Sequence, residues 1–138
     1  MWNWIKSRTL PAGNQATGKW GEQAAAGYLE KHGYEILERR YRVSSEKGEI
    51  DLIARDPGDQ DCLVFVEVKT RRSKNVRVAE AAVHWAKQRA MIRMGRAYMR
   101  MLRRPTGWRY DVVSVYVPAK AGDNPEIEHF RYAFREKG

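Results

Sequence analysis

A mixed α/β domain is what this sequence predicts: a central β-sheet flanked by helices, in the order α-β-β-β-α-β. Three observations carry that expectation. Two stretches with 3.6-residue apolar periodicity, 17–33 and 77–103, bracket three short runs rich in Val, Ile, Phe and Tyr, and a fourth such run follows. The second helical stretch is long enough to act as a crossover between parallel strands. At 138 residues and 43% hydrophobic, the chain can build one core and one domain.

Each element has its own signals. Residues 1–16 lack a clean period and contain Pro11, Gly13 and Asn14, so they read as an irregular N-terminal arm, with residues 17–138 forming the domain. Trp2 and Trp4 are expected to pack back onto that domain. Thr17 is a suitable N-cap and Gly33 a suitable C-terminal stop for the first helix. Gly18, Gly21, Glu22, Ala25, Tyr28 and Leu29 share one face of it, so Glu22 projects from the apolar stripe. A carboxylate there needs a cation or a metal, unless it sits at the stripe edge and reaches water.

Residues 34–43 and 48–55 read as the first two strands, 56–61 as a turn, and 62–70 as a third, central strand. A long helix over 77–103 stops ahead of Pro105. Residues 108–117 follow as a fourth strand, and 127–134 suit a last one. In the long helix Ala90, Met94, Ala97, Tyr98, Met101 and Leu102 form an apolar face, and Lys87 falls within it by helical angle.

The totals exclude several classes. Cys62 is the only cysteine, which rules out an internal disulfide and a Cys-rich zinc site, and its place at the start of an apolar run suggests a buried small hydrophobe. His32, His84 and His129 have no ligand spacing. No apolar run reaches the roughly 18 residues of a membrane span, and the N-terminus lacks a secretory apolar core, so a cytoplasmic location is expected. The 26 Lys and Arg against 17 Asp and Glu leave a net charge of +9, which points to a polyanionic partner, nucleic acid before membrane.

The chemistry concentrates on the second and third strands. Reflection about the 56–61 turn brings Asp51 opposite either Val66 or Glu67, depending on the loop count. Side-chain alternation puts Glu67 and Lys69 on one face and Glu49 on the face of Asp51. Facing carboxylates repel, and burying them unpaired costs several kcal/mol. A hard cation would relieve both, as would a structural ion pair with Lys69. Spacing alone leaves those two readings open.

Asp51 followed by Glu67-Val68-Lys69 across a hairpin resembles the Asp…Glu-X-Lys signature of the PD-(D/E)XK nuclease superfamily. Longer strings are similar to the UPF0102 (YraN-like) family, itself similar to archaeal Holliday-junction resolvases. They are Gly18-X-X-Gly21-Glu22 with Ala25, Tyr28 and Leu29; Gly33-Tyr34; Gly48-Glu49-Ile50-Asp51-Leu52-Ile53-Ala54; Val64 to Arg71; Ala82-Val83 and Lys87-Gln88; and Tyr110 to Val113. The resemblance implies a restriction-endonuclease-like core and a Mg²⁺- or Mn²⁺-dependent endonuclease. It further implies Asp51, Glu67 and Glu22 as metal ligands, Lys69 as the catalytic lysine, and Lys87 or Gln88 as the polar catalytic residue on the following helix.

DNA is the expected partner, branched or structured DNA in particular, and a homodimer is one assembly that would complete its groove. Arg89, Arg93, Arg96, Arg100 and Arg103 line the polar side of the long helix. Arg89, Arg93, Arg96 and Arg100, with Arg71 and Arg72 after the third strand, are the candidate phosphate contacts. The alternative function is a nucleic-acid-binding module that keeps the nuclease fold without cleavage.

Overall fold

The computed structural model describes residues 10–72 and 83–136. Among these residues, two α-helices, α1 (Asn14–Lys31) and α2 (Trp85–Leu102), accompany five strands: β1 (Glu35–Tyr41), β2 (Ile50–Asp56), β3 (Cys62–Arg71), β4 (Trp108–Tyr116) and β5 (Glu126–Phe134). The strands form one open sheet in the order β1-β2-β3-β4-β5, with β3 and β4 parallel and every other neighbouring pair antiparallel. This is the mixed α/β architecture expected, with α2 as the crossover, and it is consistent with a restriction-endonuclease-like core.

Alternation along the central strands divides the core into two layers. Leu52, Ala54, Val64, Val66, Val113 and Val115 pack with Ala24, Ala25 and Leu29 of α1. Ile53, Leu63, Phe65, Tyr110 and Val112 pack with Met91, Met94 and Tyr98 of α2. Because β2 and β3 are covered on both faces, their residues read as nearly continuous apolar runs. Both helices lie close on the sheet. A Cβ at Gly21 would overlap the Thr70 hydroxyl, and one at Gly95 would come within 3.1 Å of the Phe65 ring.

Local details correct the sequence expectations. The first helix begins at Asn14, inside the stretch read as an irregular arm, and Gly13 takes the cap position. Thr17 is therefore not the cap; its hydroxyl donates back to the Gly13 carbonyl at 2.6 Å. The second helix starts at Trp85 rather than 77, because His84 caps it by accepting the Ala86 N–H at 3.2 Å. The part of the expected helix over 77–82 lies outside the described residues, as do Trp2 and Trp4. Its buried face is Met91, Met94, Gly95 and Tyr98, while Met101, placed in that face from the sequence, is exposed. Among the described residues, no helix is long and apolar enough to cross a membrane.

Candidate metal centre

The β2–β3 ladder runs from Asp56–Cys62 to Leu52–Val66 and ends there. Continued by one step, that register sets Asp51 opposite Glu67, so the hairpin takes the alternative that opposes the two carboxylates. The strands separate at this point. Ile50 and Ile53 belong to the α2 layer while Leu52 and Ala54 belong to the α1 layer, so alternation slips at Asp51. Its side chain turns into the fork and Oδ2 accepts the Val68 N–H at 2.8 Å. The orphaned ladder donor is thereby satisfied.

Other acids gather around Asp51. One carboxylate oxygen each from Glu22, Glu49 and Asp51 lie within 4.8 Å of one another, a grouping that could hold a metal ion. Glu22 arrives because Gly21 lets α1 settle against Thr70. Glu49 comes from the loop just before β2. Glu67 is within hydrogen-bonding reach of Asp51 on the other side.

The electrostatics follow from this crowding. Burial pushes the Asp51 carboxyl up to about 8, with the Glu67 hydrogen bond and charge adding to the rise, and the Val68 N–H and Lys87 opposing it. Burial also raises Glu22, against the Arg40 hydrogen bond and with the help of the Asp51 charge. Basic groups ring the cluster. Arg40 Nε donates to Glu22 Oε1 at 2.7 Å, and Arg42 Nη2 lies 3.0 Å from Glu49 Oε2. Lys87 Nζ donates to the Glu49 carbonyl at 2.7 Å and sits 3.7 Å from Glu67 Oε1. Lys69 is half-buried two residues beyond Glu67 in β3, on the same side by alternation.

Of the expected ligands, Glu22 and Asp51 share one close group, while Glu67 stands outside that group, beside Asp51 and Lys87. Glu49 had been placed near Asp51 only by alternation and had no part in the expected ligand set. Arg40 and Arg42 were missed. Both lie in or just after a strand read as ordinary, and the available signal was the left-handed backbone at Arg40, φ 51°, which is visible only in three dimensions.

The arginines expected to meet phosphate do not form one free stripe. Arg93 is held by Glu46 and Arg96 by Glu136, at 2.7 and 2.8 Å. These carboxylates come from segments distant in the chain. Arg72 donates to the Pro11 carbonyl and the Thr17 hydroxyl, tying the end of β3 to α1. Arg71 closes β3 and its carbonyl accepts the Val117 N–H. Arg89 and Arg100 remain on the outer side of α2, exposed.

A family profile described as "Uncharacterised protein family UPF0102" matches residues 21–115. A UPF0102 protein of Trichlorobacter lovleyi is 44% identical over 123 residues, 88% of this chain and 92% of the relative. One from Roseiflexus castenholzii is 40% identical over 121 residues, 86% and 93% of the two chains. One from Rhodococcus opacus is 42% identical over 126 residues, 89% and 99%.

Proposed function

The chain belongs to the UPF0102 family, and from that premise we propose that it is a divalent-metal-dependent endonuclease, a phosphodiester hydrolase acting on branched or structured DNA. The family description assigns no chemistry, so the reading rests on the site. The observation that carries it is the convergence of Glu22, Glu49, Asp51 and Glu67 on the fork between β2 and β3, with Lys69 and Lys87 beside them. DNA as substrate makes the cytoplasm the place of work.

The donor set fits Mg²⁺ or Mn²⁺, which take carboxylate oxygens and leave positions for water and phosphate. Asp51, Glu22 and Glu49 offer oxygens close enough together to hold the ion, and Glu67, within reach of Asp51, would be a further ligand, as the family resemblance implies. Such an ion supplies Lewis-acid polarisation of a phosphate oxygen and lowers the pKa of water. The protein's own groups do the rest. Asp51 is held in the fork by Val68 N–H, which sets the direction of its lone pairs. Lys87 holds Glu67 and the Glu49 carbonyl in place, so it is a positioning residue. Lys69 carries the charge that offsets negative charge gathering on the phosphate under attack. Arg40 and Arg42 neutralise the outer carboxylates, which limits the repulsion that keeps four acids apart.

The test offers purified protein linear duplex, single strand, flap and four-way junction DNA, each with Mg²⁺ and with Mn²⁺, beside thermal melts with the same ions. We expect the ion to raise the Tm and cleavage to favour the branched substrates. Glu67→Ala should lose both effects; Lys69→Ala should keep most of the Tm rise and lose cleavage. Cutting that persists equally in both variants would come from a contaminant. A confirmed metal response with DNA binding but no cleavage of any substrate would sink the enzyme reading in favour of a binding module.

A further inference from the structure

The acidic centre uses one side of α2, and the opposite flank carries a surface with a different character. By helical angle, Trp85, Arg89, Ile92, Arg96 and Met99 follow one another along that flank. Two hollows of about 390 and 410 Å³ run along it, within the range of ligand-sized pockets. They adjoin at the Arg96–Glu136 ion pair, which lines both, with Trp85 lining one hollow and Trp108 the other.

Both tryptophans stand out from the surface, 60% and 45% exposed. Each is nevertheless held. The Arg89 guanidinium lies 5.0 Å from the centre of the Trp85 ring, a cation–π contact. Trp108 stands beside the Glu136 carboxylate, which takes Arg96 Nη2 at 2.8 Å and the Tyr110 hydroxyl at 2.7 Å. Glu136 is the one acid lining the two hollows among the described residues, against Arg89, Arg96, Arg100, Arg104 and Arg135. Orienting two large apolar rings outward on a strongly basic flank suits a ligand with negative charge along its length and aromatic faces at intervals.

We propose that this flank is a track for single-stranded nucleic acid, with bases stacking on Trp85 and Trp108 and phosphates held by Arg89, Arg100 and Arg104. Aromatic platforms spaced along a basic groove are the means by which single strands are held without regard to sequence. A duplex satisfies the arginines but keeps its bases stacked inside, and an acidic peptide brings charge without aromatic faces. The track is about 25 Å long from the helix rise alone, room for a short run of nucleotides. Its Trp85 end and the metal centre share one end of α2, since Lys87, two residues on, reaches Glu67 and Glu49. The inference deepens the nuclease reading by naming the form of strand held, and it requires no cleavage.

The experiment is fluorescence anisotropy with labelled oligo-dT and a labelled duplex of equal length, in EDTA. Trp85→Ala and Trp108→Ala should each weaken oligo-dT binding about ten-fold while leaving duplex binding near wild type. Trp85→Phe and Trp108→Phe should keep most of the affinity, because a smaller ring still stacks. Arg100→Ala should lower the salt slope for oligo-dT by about 0.7. Oligo-dT binding unchanged in both alanine variants would overturn the track, and so would an equal fall for oligo-dT and duplex. Since no metal is present, a failed cleavage assay leaves this result standing, and a failed track leaves the metal response to be judged separately.

Discussion

The Asp51 carboxyl, shut away from water beside Glu67, favours its protonated form, and this fixes the sign of a pH effect. Its pKa in the folded protein is about 8, against 3.8 for an ordinary aspartate. A raised folded-state value contributes stability in full below the ordinary value and loses it as pH rises through the folded one. Without divalent metal, the Tm of the protein should therefore fall between about pH 4 and pH 8, with Glu22 acting in the same sense. Asp51→Asn should flatten most of that decline and also abolish the metal-induced rise in Tm. Parallel pH profiles for the two proteins in EDTA would show that Asp51 is not the group responsible. The stabilisation by added Mn²⁺ should in turn grow with pH, because ions compete with protons for these carboxylates.

At the scale of elements, the site depends on how closely α1 approaches β3. Gly21 is where the helix touches the sheet, with Thr70 in the space a side chain would need. Gly21→Ala should cost about 1–3 kcal/mol by overpacking, and by lifting α1 it should move Glu22 away from Asp51 and weaken the metal response. Gly18, one turn earlier, has nothing within 4 Å of a built Cβ. Gly18→Ala should be neutral or stabilise by up to about 1 kcal/mol, since alanine is the better helix former. Chemical denaturation of the two variants separates contact from propensity, and an equal loss in both would refute the close-approach argument. The end of α2 teaches a related lesson: Arg93 and Arg96 look like neighbours on one basic stripe, yet each is claimed by a carboxylate 40 or more positions away in the chain.

Across the whole molecule, the charged groups sort to the two ends of the sheet. The fork end concentrates acids around Asp51. At the hairpin end Arg109, with no exposed side-chain surface, donates to Asp56 at 3.0 Å, Asp59 at 2.8 Å, Asp111 at 3.1 Å and the Tyr34 hydroxyl at 2.8 Å. Asp111 takes His129 at 2.7 Å besides. Burial disfavours the charge on Arg109, but Asp111 and Asp56 outweigh it and hold its pKa above the ordinary value. Removing the cation strands buried carboxylates, so Arg109→Met should cost about 3–5 kcal/mol. Its metal-induced rise in Tm should survive, measured at a temperature where the variant is folded, because the two clusters lie at opposite ends of β2 and β3. Loss of the metal response along with stability would mean that the two ends do not behave independently.

Local pattern was enough for much of this. Five strands and two helices follow from periodicity and turn residues, and reflection about a short hairpin narrows the residue opposite Asp51 to Val66 or Glu67, a choice the observed register settles. Lys87 could be singled out because a helix converts sequence number into angle. The tertiary structure alone decided the partners that come from afar: Arg40 for Glu22, Glu46 for Arg93, Glu136 for Arg96, and the Tyr34 hydroxyl for Arg109 across 75 positions. It also decided that Glu49, outside the strand, joins Glu22 and Asp51. Period and register are properties of neighbouring residues, set by backbone geometry within a few positions. Ion pairing and metal-site membership depend on loop paths and on how near a helix settles to its sheet, and those distances arise only when the whole core packs.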